Sequence, residues 1–261
     1  MAVTLLTPPP KFDYALVDTD AIIYPLGFVA ASKGLSWEEV RDVFHLRLAS
    51  FKDLATHIYF FYTFKTADGN YRDQFRNHVA YKAKRKEAKI KPAYIENILV
   101  ELGSIIYAHS CLSHVGEADD YICSASNKIY NTGYKCLIVH TDKDLNQIPG
   151  WHSDITGNSI RYVSYEEACR FKYMQIIAGD RADDIPGLRG YGPARAYKVL
   201  SRATTEYEMY ERSFDEYVKV LSKDFSDEEI AGYYYETANL VHLRRNLVDD
   251  QWNIPEKEDH D

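Results

Sequence analysis

Apolar residues follow two rhythms along this chain, one in its first half and one in its second. Tyr14 to Val17 is a short apolar run that halts at Asp18, which predicts a buried strand. Residues 56–64, THIYFFYTF, predict a second strand. Residues 135–140, KCLIVH, predict a third, continuously apolar as a strand covered on both faces must be. Between them the spacing becomes helical. Ser36 and Glu39 have capping-box spacing ahead of Val40, Val43, Phe44, Leu46 and Leu48. Residues 92–108 set Ile95, Ile98, Leu99, Leu102, Ile105 and Ile106 along one helical face. Strand, helix, strand, helix, strand predicts an α/β fold with a central, mostly parallel sheet. Beyond about residue 165 no strand is expected. Ser164 and Glu167 open another capping box, the remainder reads as helical, and the polar tail at 249–261 is expected to fray.

At 261 residues and 46% hydrophobic content, the chain can bury a core as one domain with a helical extension. No apolar run reaches the length of a membrane span, and residues 1–14 lack a basic and then apolar leader, so the expectation is a cytoplasmic protein with no membrane partner. Cys111, Cys123, Cys136 and Cys169 show no paired spacing and are expected to be reduced. His109, His114 and His140 have no ligand spacing and are expected to be structural. The net charge of −8 argues at first against a phosphate-bearing partner. Its distribution reverses the argument, because Arg72 to Lys91 holds eight basic residues against two acids.

Following each strand to its carboxyl end, where open parallel sheets bind ligands, collects acids. The first strand ends at Asp18, and the third runs into Asp142 and Asp144. GEADDY starts a helix with Glu117, Asp119 and Asp120, and GDRAD adds Asp180 and Asp183. Eight carboxylates from four segments cannot stay ionised side by side without cations. Oxygen-only ligation suits Mg²⁺, with Mn²⁺ as a substitute, and two such ions serve in-line displacement at a phosphodiester.

Next to these acids, IPGLRGYGPARAYKVL places Gly187, Gly190 and Gly192 in a tight turn ahead of a helix from Ala194. Backbone N–H groups at such a helix start hold phosphate without reading sequence, and Arg195 and Lys198 add charge beside them. The basic segment mixes Arg72, Tyr81, Lys82, Lys84 and Arg85, a combination suited to a single-strand backbone. Lys82 and Arg85 are the candidates for contacts at the scissile phosphate.

VDTD, NYRDQF followed by YKAKRK, GEADD, TDKDL and GDRADDIPGLRGYGPARA occur in the order seen in the 5′-nuclease family. The chain resembles that family over residues 14–200; its members are flap endonucleases, bacteriophage 5′-to-3′ exonucleases and the 5′-nuclease domain of bacterial DNA polymerase I. The resemblance implies a PIN-like fold with an acidic two-metal site. It implies an α/β nuclease core over 1–165 with a helical arch at about 70–100. It also implies a helical region over 166–261, with a helix-hairpin-helix motif at about 180–200 that binds K⁺ in some members. The implied metal ligands are Asp18, Glu117, Asp119, Asp120, Asp142, Asp144, Asp180 and Asp183, and Lys82 and Arg85 resemble the arch cations. The implied partner is DNA with a 5′ end, flap or nick, and no organic cofactor is expected. One departure stands out: where many members carry an aspartate at the end of the second strand, this chain has Thr63, with Asp68 only later.

Singly, each feature has a plainer reading: Asp18 and Asp20 as helix caps, EADD as dipole stabilisation, the cation run as a solvated face. Their joint order is what the plain readings fail to produce. Two other functions stay open. A PIN-like ribonuclease is disfavoured by the glycine turn, and a noncatalytic DNA-binding protein by the complete acid set.

Overall fold

A computed structural model describes residues 12–79, 81–83, 92–105, 107–248 and 251–257. Its centre is a six-stranded sheet of β1 (Phe12–Asp18), β2 (Ala55–Phe64), β3 (Ala108–Leu112), β4 (Cys136–Val139), β5 (Gly150–Ser153) and β6 (Ile160–Val163). The spatial order is β3-β2-β1-β4-β5-β6, parallel throughout except for the β5–β6 pair. The chain leaves β1 toward β2 on one side and returns to β4 on the other. That reversal puts a crevice at the carboxyl ends of β1 and β4.

Period-two alternation decides which side chain meets which layer. Ala15 and Val17 of β1, Phe60 and Tyr62 of β2, and Leu137 and Val139 of β4 pack with α1 (Asp20–Lys33), α2 (Trp37–Ala49) and α3 (Ile95–Gly103). Leu16, Phe61 and Ile138 turn the other way, onto Ala118 and Ile122 of α4 (Ala118–Asn131). Each of these strand residues is at most 8% exposed. Burial on both faces explains why the sequence of β4 is continuously apolar rather than alternating.

A second apolar cluster unites α5 (Tyr165–Ala178), α6 (Pro193–Leu200), α7 (Glu206–Leu221) and α8 (Asp227–Val241) around Tyr173, Ile176, Met209 and Tyr234. Each of the capping boxes read from the sequence is formed, at Ser36–Glu39 and at Ser164–Glu167. No described helix is long and apolar enough to cross a membrane.

Several expectations need correction. β3, β5 and β6 had no clear signal, being short and partly polar. The helix expected over 92–108 ends at Gly103, after which the chain turns and enters β3. Strand pairing does occur beyond residue 165: β7 (Gly179–Asp180) and β8 (Ile185–Pro186) form a two-residue antiparallel ladder. Close backbone approach makes it possible, since a Cβ on Gly187 would lie 2.1 Å from the Ala178 carbonyl carbon. Gly179, at φ +73, faces the same crossing. Within the tail Trp252 is anchored: it is 4% exposed, its backbone N–H donates to Asn239 Oδ1 at 2.9 Å, and its ring meets Tyr234 edge-on. Of the arch expected at about 70–100, Tyr71–Phe75 is a 3-10 turn. Lys84 and Arg85 lie outside the described residues.

Candidate active site

The crevice at the β1–β4 switch is a cavity of about 280 Å³ whose walls carry Asp18, Asp20, Glu117, Asp119, Asp142, Asp144 and Asp183. Four stretches of chain supply them. Asp18 ends β1, and its Oδ1 accepts from the Asp20 N–H at 3.1 Å as the chain turns into α1. Asp142 follows β4 and caps the 3-10 turn Lys143–Gln147 by accepting from the Asp144 N–H at 2.9 Å. Glu117 and Asp119 sit at the start of α4, where the helix dipole favours negative charge. Asp180 and Asp183 come from the β7–β8 turn, and Asp180 lines a small adjoining cleft with Asp119 and Asp144.

Crowding of acids shows in their protonation. Burial, then Asp20 and Asp142, pushes the Asp18 carboxyl well above the ordinary range. Burial followed by the Asp120 charge does the same at Asp119. Asp20 and Asp142 are raised as well, again chiefly by burial. Glu117 goes the other way: burial opposes its charge, but Lys82 and Arg72 hold it at about 2. Besides Arg72, two described lysines supply counter-charge. Lys82 Nζ donates to Glu117 at 2.7 and 2.6 Å and lies 3.6 Å from Asp183. Lys143 Nζ donates to Asp144 at 2.8 Å and to Asp180, which lowers Asp180 against its burial and raises Lys143 to about 12.

The donor set is oxygen-only, partly dehydrated and strongly repulsive, which fits hard divalent cations rather than zinc-type sites with His or Cys. Among the described residues no three acidic, His or Cys groups are already drawn together as a closed metal shell. The carboxylates instead form the walls of an open cavity.

Six of the eight acids singled out in the sequence line this cavity, and Asp180 stands beside it. Asp120 does not join them. It is fully buried and grips Arg72, whose Nη1 and Nη2 donate to its two oxygens at 2.7 and 2.9 Å. Arg72 is 2% exposed and also donates to the Leu240 and His242 carbonyls at 3.0 Å each. Its expected contact with DNA is therefore replaced by a role inside the protein, because no face of its guanidinium reaches solvent. Tyr81 is similarly 5% exposed, its hydroxyl donating to Glu117 at 2.9 Å, so base stacking is not open to it. Lys82 reaches the cavity. At the turn after β8, Gly190 adopts φ +82, Gly192 caps α6 and Pro193 opens it, while Arg195 lies over the Tyr191 ring and Lys198 is exposed.

Asp20 was missed as a site residue. It takes the corner left by the absent second-strand acid: its carboxylate accepts from the Thr63 N–H at 3.1 and 3.2 Å, and Thr63 Oγ1 accepts from Ala118 N–H at 3.0 Å. Asp68 is exposed, 3.9 Å from His114 and remote from the cavity lining. The signal for Asp20 was available in VDTD, two acids flanking a strand end. His140, expected to be structural, pairs with buried His152 at 2.8 Å.

No family profile matches the chain. The flap endonuclease Xni of Shewanella halifaxensis is 30% identical over 186 residues, covering 66% of this chain and 68% of that protein. T5 5′-exonuclease with bound zinc superposes with a TM-score of 0.60 at 17% identity, over 88% of this chain and 89% of the other. The bacteriophage T5 D15 flap endonuclease, in a complex with DNA and metal ions, gives 0.58 at 16% identity over the same shares. The chain belongs to the 5′-nuclease family, and its mixed sheet with flanking helices is the fold of the T5 enzyme.

Proposed function

We propose that this protein is a metal-dependent 5′-3′ exonuclease and flap endonuclease that hydrolyses DNA phosphodiester bonds, with Mg²⁺ as its working ion. The observation that carries the reading is the convergence of seven carboxylates from distant parts of the chain on one cavity at the carboxyl ends of β1 and β4. Family membership supports the same activity.

In this reading Asp18, Glu117, Asp119, Asp142, Asp144, Asp180 and Asp183 hold a pair of Mg²⁺ ions, directly or through water, with Asp20 fixing its neighbours. When bound, the ions supply a hydroxide at neutral pH and neutralise charge on the displaced phosphate. Lys82 keeps Glu117 ionised and carries a cation at the cavity wall, where it meets a phosphate oxygen of the incoming strand. The backbone N–H groups at Gly190 and Gly192, with Arg195 and Lys198, grip the duplex phosphates. The α5-turn-α6 unit then acts as a helix-hairpin-helix, with K⁺ as a companion ion. The workplace assigned is the cytoplasm.

End-labelled 5′-flap, nicked and single-stranded DNA, incubated with and without Mg²⁺, tests this. Cleavage from the 5′ side that stops with EDTA and with Asp142→Asn is expected. Cleavage indifferent to EDTA would defeat the metal mechanism.

A further inference from the structure

Directly behind the acidic cavity lie two buried glutamines that none of these roles uses. Gln175 is on α5 and Gln147 closes the 3-10 turn after β4; they are 7% and 8% exposed. Gln175 Nε2 donates to Asp144 Oδ1 at 2.6 Å and to Asp180 Oδ2 at 3.3 Å. Gln175 Oε1 accepts from Gln147 Nε2 at 2.8 Å, and the same nitrogen donates to the Val241 carbonyl at 2.7 Å. Gln147 Oε1 faces the Leu243 N–H at 3.4 Å.

A side-chain amide has a donor end and an acceptor end, and in isolation either orientation fills the same space. Here the main chain chooses. The Val241 carbonyl can only accept and the Leu243 N–H can only donate, so the Gln147 amide has one satisfied orientation. Its NH₂ then points at Gln175 and demands an oxygen there. That leaves the Gln175 NH₂ facing the carboxylates. Reversing either amide would set oxygen against oxygen in a buried region, where an acceptor left without a donor is destabilising.

We infer that Gln147 and Gln175 form a relay through which the backbone at 241–243 positions Asp144 and Asp180 to receive divalent metal. The inference rests on the metal-dependent reading of the cavity. Gln175 shares with Lys143 the task of holding these two carboxylates side by side, and as a neutral donor it does so without adding further positive charge to compete with a metal ion. It also leaves their other lone pairs for a metal ion. Both glutamines are positioning residues, and the stretch after α8 thereby becomes part of the nuclease centre. Arg72 strengthens the case, since it lines the adjoining cleft with Gln175 and Asp180 and reaches the Leu240 and His242 carbonyls.

The test is Mn²⁺ calorimetry on the full chain without DNA, followed by kcat and KM on a 5′-flap substrate. Gln175→Met is expected to weaken Mn²⁺ binding by about 10–100-fold, the usual effect of losing a partner of a metal ligand. At fixed metal, kcat falls while KM for DNA holds. Gln147→Met touches no carboxylate, yet it shifts Mn²⁺ affinity in the same direction by a smaller factor. The double variant binds no more weakly than Gln175→Met alone, because the two act along one path. Should Gln175→Met not fold, Gln147→Met carries the test by itself. Unchanged Mn²⁺ affinity in Gln147→Met, or losses that multiply in the double variant, would overturn the relay. Unaltered protein that binds no Mn²⁺ would instead remove the metal reading, and the relay with it.

Discussion

Asp119 and Asp120 are adjacent on α4, and the structure gives them opposite tasks, which two conservative substitutions separate. Asp120→Asn keeps shape but removes the charge opposite Arg72, whose side chain is 3% exposed against 0% for Asp120. The guanidinium would keep its carbonyl partners at 240 and 242 and the more distant Glu117 at 3.4 Å, but lose the carboxylate that meets it at 2.7 and 2.9 Å. Breaking a pair of this kind costs about 3–5 kcal/mol, because a desolvated cation is left behind. For a chain of this size, each kcal/mol moves the melting temperature roughly 2–4 °C, so a fall of about 6–20 °C is expected. Asp119→Asn removes a charge that burial and Asp120 already disfavour. It should leave stability intact or slightly improved and weaken divalent binding. Urea denaturation followed by circular dichroism, with Mn²⁺ calorimetry in parallel, reads both. A double variant, Arg72→Met with Asp120→Leu, should cost less than the two single changes together, since an apolar pair leaves no orphaned charge. The reasoning fails if Asp120→Asn changes stability by less than about 0.5 kcal/mol, within the range of ordinary surface changes, while abolishing metal binding. Asp120 would then be a ligand.

Three further outcomes follow from the same geometry. Glu206, at the start of α7, is held at about 2 because Lys172 and Tyr165 outweigh its burial, so its folded value lies below its unfolded one near 4.5. Its contribution, at most about 3 kcal/mol, is complete above pH 4.5 and is lost as pH falls toward 2; Glu206→Gln should flatten the acid limb of melting temperature against pH. Gly187→Ala drives a Cβ into the Ala178 backbone, so it should cost more than about 1–3 kcal/mol of overpacking strain and displace Asp180, read by denaturation and by loss of Mn²⁺ affinity. Lys82→Ala should cut the rate of flap cleavage by about 10²–10³-fold, the scale of losing one charge-stabilising donor, without lowering DNA affinity comparably.

The parts of this protein that could be read from its sequence are those where one local rule sufficed. Two-sided burial writes a continuous apolar run, so β1, β2 and β4 were visible; a cap writes Ser then Glu, so α2 and α5 were visible. β3, with an exposed His109 and Ser110, and the two-residue β7–β8 ladder carry no such run, and only the pairing partners identify them as strands. Most of the acids were legible for a related reason. A strand end and a helix start each fix the direction of their next side chain, which places Asp18, Glu117, Asp119 and Asp142 without knowledge of the rest of the fold.

What stayed hidden depends on partners far away in the chain. In sequence, Asp120 is indistinguishable from Asp119; only Arg72, arriving from 48 residues away, removes it from the cavity. Arg72 and Tyr81 were read as part of a basic surface because composition records how many cations a segment holds and not which way each one faces. In sequence, Asp20 reads as a helix cap beside Asp18, and the second-strand position, Thr63, offers no acid. The cavity instead draws its carboxylate from two residues past Asp18 and lets Thr63 orient it. A metal-binding wall requires oxygen at a location, and nothing in its chemistry specifies which strand delivers that oxygen. The most local acids of such a site can therefore be anticipated from order alone, whereas the residues that aim them, Arg72, Gln147 and Gln175, appear only when the chain is folded around them.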